Sequence, residues 1–319
     1  MKKTKSPLEV WAHLAYLVGA LFAAALLFLG LRTGGVAPIF VWRYGLQFLP
    51  LAAFALLLAG AIWSARHPPF LRPGRKVPFL VLILAIGAGQ VPLPYPSSHE
   101  GHESAICFRL PFREEGEGEG HGKGEWTVFW GGEKKEESLL AAYAAERRWG
   151  LDLVVAKDGR THAGSGLEAS DYFVLGRDVL APADGVVVRA VDDVADGAPG
   201  RIGRGVDPRG NRVVLQVGEG EFVFLCHLAQ GSLAVRPGRR VRGGDLLGRV
   251  GCSGWSPFTP EPHLELHLQD TAEDGRGEPI PWHFCGYISD GVRVDQGLPR
   301  GGVGPGGALQ GQRIAVPGR

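Results

Sequence analysis

The chain has 319 residues, a formal net charge of +1 and 45% hydrophobic residues, a size that suits one large or two smaller globular domains. With no basic patch and no phosphate-binding loop, nucleic acid is not an expected partner. The averages conceal an asymmetry: Asp and Glu fall almost entirely at or after Glu100, and long apolar runs fill the chain before it.

Three such runs occur in order. Val10 to Leu31 and Gly45 to Ala65 are each long enough to cross a hydrocarbon core as a helix, and Val77 to Leu93, with Gly87, Gly89 and Gln90 inside it, is near the lower limit. Lys2, Lys3 and Lys5 before the first run would also suit a signal peptide, but the run exceeds a usual apolar core and "LRTGGVAP" is a poor cleavage site. Basic residues stay preferentially on the cytoplasmic side, and they concentrate at the amino terminus and in Arg66, Arg72, Arg75 and Lys76 of the second loop. Three crossings from a cytoplasmic start therefore place everything after Leu93 outside the cytoplasm, with membrane lipid as the partner of residues 10–93.

The expected organisation is a three-helix anchor over 1–93, a Pro- and Ser-rich linker over 94–106, a β domain over 107–296 and a disordered Gly- and Pro-rich tail over 297–319. The cysteines Cys107, Cys226, Cys252 and Cys285 all lie in the exported part, where disulfides persist, and three pairings are open. "REEGEGEGHGKG", which contains His121, reads as a solvated hairpin tip, and "EESLLAAYAAERRWG" has apolar residues at helical spacing. From Leu151 onward short β-runs follow one another: "LDLVVA", "DYFVLG", "DVLAPADGVVVRAV", "NRVVLQVG", "EFVFLCHL", "RVRGGDLLGRVG" and "PHLELHL". Asp184-Gly185 and Pro237-Gly238 supply turns, so an antiparallel sandwich or barrel is expected.

In the last run His263, Glu265 and His267 stand at every second position, which on a strand lines three metal-capable groups along one face, about 7 Å apart. Together with "VLAPADGVVV", "GNRVVLQVGEGEFVFLCHL" and "VRPGRRVRGGDLLGRVGCSG", this run resembles the LytM/lysostaphin-type zinc metallopeptidases, whose duplicated hybrid motif domain cuts peptidoglycan cross-bridges; the likeness spans about residues 126–272. Lipoyl and biotinyl carrier domains use similar hairpins but need a lysine at a hairpin tip, which is lacking here.

The resemblance implies zinc as cofactor, peptidoglycan or a cell-wall hydrolase as partner, and a site divided between metal ligands and catalytic histidines. In that division the zinc is held by the His and Asp of an H-x-x-x-D motif and by the second His of H-x-H. The first His of H-x-H and another in an "HL" segment then act on the attacking water. His227 in "CHL" and His263 match the two catalytic histidines, and Asp152 matches the aspartate ligand. The other ligand positions depart from the pattern. Glu265 stands for the second His of H-x-H, and Arg148, which cannot lose its proton, stands four residues before Asp152. His162, ten residues after Asp152, is the remaining replacement ligand, against the simpler reading of a solvated loop residue.

Each of these residues also has an ordinary reading: Asp152 as a strand-end turn former, His227 as a satisfied core histidine, the tryptophans as core or rim. A cation beside the site opposes a divalent metal, so the expectation is a metal-impaired pocket with two histidines kept and Arg148 paired with Glu265 or Asp152. The resulting reading is a membrane-bound, extracytoplasmic wall-binding or hydrolase-regulating domain. The alternative is an active endopeptidase using Asp152, Glu265 and His162 or water. A third possibility, helices that carry the function with the β domain as sensor, is disfavoured by how few polar groups the runs hold.

Overall fold

In the computed structural model the described residues are 6–31, 34–67, 73–91, 93, 96–99, 102–113, 124–132, 147–201, 207–256, 259–304 and 307–318. They divide into two units, Met1–Ser98 and His99–Arg319.

The first unit holds α1 (Pro7–Leu31), α2 (Val36–Phe40), a π-helical turn over Val41–Gly45, α3 (Leu46–Arg66) and α4 (Pro73–Ala88). Its core is built from Ala15, Phe22, Ala53, Leu82 and Ala85, several of them small enough to let helix backbones approach closely. Trp11 lies over Gly60 and its indole N–H donates to the Leu56 carbonyl at 2.8 Å. Leu17, Leu27, Phe54, Leu58 and Leu84 face outward and are exposed, an apolar exterior of the kind that marks an interaction or membrane surface. The 25-residue α1 and the continuous 30-residue stretch Ala37–Arg66 are long and apolar enough to cross a membrane. The third expected run forms only the 16-residue α4, because the chain leaves the helix in a turn at Gly89 and Gln90.

The second unit is mainly β. Its larger sheet is antiparallel, with β2 (Glu125–Trp130), β3 (Leu151–Ala156), β10 (Leu264–Gln269), β7 (Glu221–Leu228), β6 (Asn211–Gly218), β5 (Gly185–Val191) and β8 (Arg240–Val241) in that spatial order. A second sheet centres on β11 (His283–Ser289), which pairs parallel with β1 (Cys107–Phe108) and antiparallel with β12 (Val292–Gly297) and β13 (Ile314–Ala315). A third, small ladder joins β4 (Asp178–Leu180) to β9 (Leu246–Arg249). Among the described residues the larger sheet stays open rather than closing into a barrel, with β2 and β8 at its ends.

Alternation on β10 determines what the sheet does. Leu264, Leu266 and Leu268 are buried on one face, whereas Glu265, His267 and Gln269, equally buried, occupy the other. Register then brings Asp152 of β3 and Cys226 of β7 directly beside Glu265 on that second face. The expected strand at "DYFVLG" is instead a 3-10 turn, Ala169–Asp171, and further turns, fixed by Tyr172 N–H donating to Ala169 O at 3.2 Å and Phe173 N–H to Thr161 O at 3.1 Å. β11 and β12 were not among the anticipated strands. The expected hairpin tip with His121, and nearly all of the expected helix from Glu136, lie outside the described residues.

The tail also departs from expectation. Val128 N–H donates to Gln312 O at 3.0 Å and Gly302 N–H to Phe129 O at 3.0 Å, so the segment after Gly297 runs along the outer edge of β2 and satisfies it. Composition misleads here because the order comes from backbone pairing rather than side-chain burial. A Cβ at Gly311 would collide with the Val128 carbonyl, so glycine is what permits the approach.

Candidate functional site

Two histidines and two acids meet at the polar face of β10. His227 and His263 have ring centroids 4.4 Å apart, His227 Nε2 lies 3.6 Å from Glu265 Oε2 and His263 Nε2 lies 3.9 Å from Asp152 Oδ2. Between Asn211 and Leu228 the β6–β7 ladder shifts register, leaving an extra residue on β7. His227 itself adopts φ 65°, a region costly for a side chain other than glycine. Strict alternation would send His227 to the face opposite Cys226; the bulge turns it towards Glu265 instead.

Both imidazoles are oriented by carbonyls. Nδ1–H of His227 donates to Ser253 O at 2.9 Å and Nδ1–H of His263 donates to Glu261 O at 2.6 Å. A carbonyl only accepts, so Nδ1 of each ring carries a proton and Nε2 is the nitrogen turned towards the acids. Among the described residues neither Nε2 has a hydrogen-bond partner, nor does Asp152 Oδ1. The Ser253 turn is in turn clamped: its Oγ donates to Leu228 O at 2.6 Å and accepts from Asn211 N–H at 2.9 Å. Burial, reinforced by His227, lowers His263 to about 3, and the ring is neutral.

Glu265 is fully buried and surrounded by donors. Arg147 donates to Oε2, Arg209 Nη1 lies 3.5 Å from Oε1 and His267 Nδ1 lies 3.3 Å from the same oxygen. Burial alone would raise this carboxyl, but the Arg147 guanidinium and the contacts from His227 and His267 outweigh it and hold it well below the usual range. Asp152 moves the other way, raised by its burial and by the charge of Glu265, although Thr259 Oγ1 donates to its Oδ2. His267 accepts from Arg209 at 3.3 Å, stacks on Phe224 at 4.7 Å between centroids and is lowered to about 4 by burial. Arg209 continues to Asp274, 3.4 Å from its Nε, so the network reaches beyond the site.

The cation at the site is thus Arg147, not Arg148, whose guanidinium stacks 4.8 Å over Trp149. Ligand-type atoms of His227, His263 and Glu265 come within 4.8 Å of one another, and His162 is not among them; it sits beside Tyr172, 5.2 Å between rings. The histidines open onto a cleft of about 220 Å³ whose lining includes Arg201, Ser253, Trp255, Thr259 and Glu261. Burial raises Glu261 to about 7 against the Thr161 hydrogen bond. Strand spacing marks His263 and Glu265, and the family resemblance marks Asp152 and His227. Arg147, Arg209, Ser253 and Thr259 carry no motif, and only the doublet Arg147-Arg148 hinted that a cation was near.

Of the three possible pairings, Cys107–Cys285 is the disulfide, with Cα atoms 5.6 Å apart, and Cys226 and Cys252 are free thiols. Burial raises both thiols, Cys252 to about 11, so neither is poised as a nucleophile.

Residues 160–276 match the profile of peptidase family M23. No curated protein matches the chain. Among solved structures, the deep-sea M23 metalloprotease pseudoalterin is 15% identical over 67% of this chain and 100% of its own, with a TM-score of 0.34. The catalytic domain of lysostaphin from Staphylococcus simulans is 18% identical over 41% of this chain and 73% of its own, with a TM-score of 0.26. A Pseudomonas aeruginosa structure assigned to peptidase M23 is 24% identical over 37% of this chain and 36% of its own, with a TM-score of 0.24. The chain therefore spans little more than a third of that last relative, and overlaps this small carry nothing about the site.

Proposed function

We propose that this chain, whose residues 160–276 form a domain of peptidase family M23, is a membrane-anchored extracytoplasmic protein that binds peptidoglycan peptide without cutting it. The observation that carries this reading is the Arg147–Glu265 ion pair at the place where the family resemblance expects a zinc ligand. Zinc does not fit the residues present. Arg148 and Glu265 replace two of the three expected ligands, and Glu265 already accepts from Arg147 and faces Arg209. A divalent ion at this carboxylate would stand beside a guanidinium at a fully buried position, where like charges repel strongly.

What the site retains is a recognition surface. The neutral His263 offers an Nε2 acceptor and His227 a second Nε2, neither with a hydrogen-bond partner among the described residues, at the edge of a cleft, suited to the polar backbone groups of an extended peptide. The anchor is α1 and the stretch Ala37–Arg66, which have the length and hydropathy of spans, with α4 as the third crossing. A role in holding or regulating a wall hydrolase is compatible with the same surface.

The second reading is an active zinc endopeptidase. It draws on the mutual approach of His227, His263 and Glu265 to within 4.8 Å. The two are separated by incubating the full chain, solubilised in detergent and loaded with zinc, with purified peptidoglycan. Expected are cosedimentation with the insoluble wall, no release of new amino termini, and a zinc content that Asp152→Ala leaves unchanged. Release of amino termini together with zinc that is lost in Asp152→Ala would overturn the proposal in favour of the endopeptidase.

A further inference from the structure

A second cluster of ligand-type side chains shares no residue with the histidine site. A ring nitrogen of His99, a carboxylate oxygen of Asp270 and one of Glu278 lie within 4.8 Å of one another. Asp270 opens the connection between β10 and β11, Glu278 lies within it and pairs back with Asp270, and His99 is the first residue of the second unit.

The loop base is held shut by its backbone: Asp270 N–H donates to Glu278 O at 3.1 Å and Glu278 N–H donates to Asp270 Oδ1 at 2.8 Å. The buried Gln269 amide donates to the carbonyls of Thr271 and Glu273 at 2.7 and 3.0 Å, fixing the loop above it. One oxygen of Asp270 is thereby committed to the backbone, and the other is aimed at His99. Such outer hydrogen bonds orient the ligands in metal sites. The turn that carries His99 is closed by His102 N–H donating to His99 O at 2.9 Å.

The separation between His99 Nε2 and Asp270 Oδ2 is 3.6 Å, longer than a direct N–H···O bond. Two ligands each about 2.0–2.1 Å from one tetrahedral ion stand about 3.3 Å apart, so the spacing is that of groups sharing a metal more than of groups bonding each other. One imidazole and two carboxylates balance the charge of a divalent ion. They give the mixed N/O set and three protein ligands suited to zinc, whereas calcium takes six or more oxygens. Glu278 is 1% exposed, while the His99 and Asp270 side chains are 28% and 35% exposed, which leaves an entry path.

We propose that His99, Asp270 and Glu278 form a zinc site that fastens the start of the exported unit to the base of the β10–β11 loop. The segment is tied down repeatedly from there on. Glu103 accepts from His283 Nδ1 at 2.7 Å, Ser104 Oγ donates to Glu221 at 2.8 Å, and Cys107 is bonded to Cys285.

The test uses the full chain in detergent, stripped with a chelator and titrated with zinc ions alone, with calcium as a comparison. Variants are His99→Ala, Asp270→Asn, which keeps the Oδ1 acceptor, and Asp152→Ala. Expected are stoichiometric zinc and a raised unfolding midpoint in the wild type and in Asp152→Ala, weaker binding of calcium, and a loss of zinc affinity of at least tenfold in His99→Ala and Asp270→Asn. Unchanged unfolding midpoints of the metal-free variants check that they fold. Zinc retained in both His99→Ala and Asp270→Asn, or no zinc in the wild type, would overturn the metal site. Zinc that is lost only in Asp152→Ala overturns both the metal site and the non-cleaving reading above. Two zinc ions, one lost with each group of variants, would uphold the metal site and overturn that reading.

Discussion

A carboxylate with no access to water needs a cation, and at Glu265 the cation is an arginine. The consequence is measurable, since removing one partner of a buried pair leaves the other charge uncompensated. Arg147→Ala is expected to cost about 3–5 kcal/mol, and Arg147→Met combined with Glu265→Leu to recover most of that loss. Urea unfolding of the detergent-solubilised chain, followed by tryptophan fluorescence, checks both outcomes. Spacing in the sequence was enough to put His263 and Glu265 on one face of a strand, because parity on strands is a local property; Asp152 and His227 were marked only by the family resemblance. It chose Arg148, four residues before Asp152, where the structure brings Arg147. That choice depends on the turn entering β3, which sends one guanidinium to Glu265 and the other over Trp149.

At the scale of elements, β-runs with Gly and Asp punctuation were legible wherever side chains alternate or bury on both faces, as in β3, β6, β7 and β10. Asp171 to Gly176 misled because its aromatic and aliphatic residues look strand-like, while turn hydrogen bonds decide its path. The bulge that rotates His227 left no trace in the sequence; it appears only in the β6–β7 register. The tail was misread for a different reason, since a glycine-rich segment can be ordered by the strand edge it covers. Gly311→Ala is therefore expected to displace the tail from β2 and to destabilise by about 1–3 kcal/mol, as overpacking does. Faster protease cleavage after Gly297, at otherwise unchanged expression, is the readout. A tail as resistant in Gly311→Ala as in the wild type would show that the edge contact is dispensable.

For the whole molecule, the sequence contrasts an apolar, acid-poor first part with an acidic second part, and the described residues divide into units at Ser98 and His99. The number of crossings was not readable, because α4 is short and its run is interrupted by glycines. Reporter fusions resolve it: a periplasm-active reporter joined after Gly318 should be active, and the same reporter joined after His67 should be silent. Activity at both positions would leave only one crossing between the cytoplasm and Arg66.

The Cys107–Cys285 bond joins strands 178 positions apart in the chain, both within the β unit His99–Arg319. In mechanical terms it is a short circuit for force. A load applied between any point before Cys107 and any point after Cys285 passes along the covalent chain from one sulfur to the other, and the enclosed sheet, with its histidines and arginines, is not stretched. Cleaving that one bond would place the whole sheet in series with the load, so a reduced molecule under tension should extend by the length of the enclosed chain where an oxidised one holds.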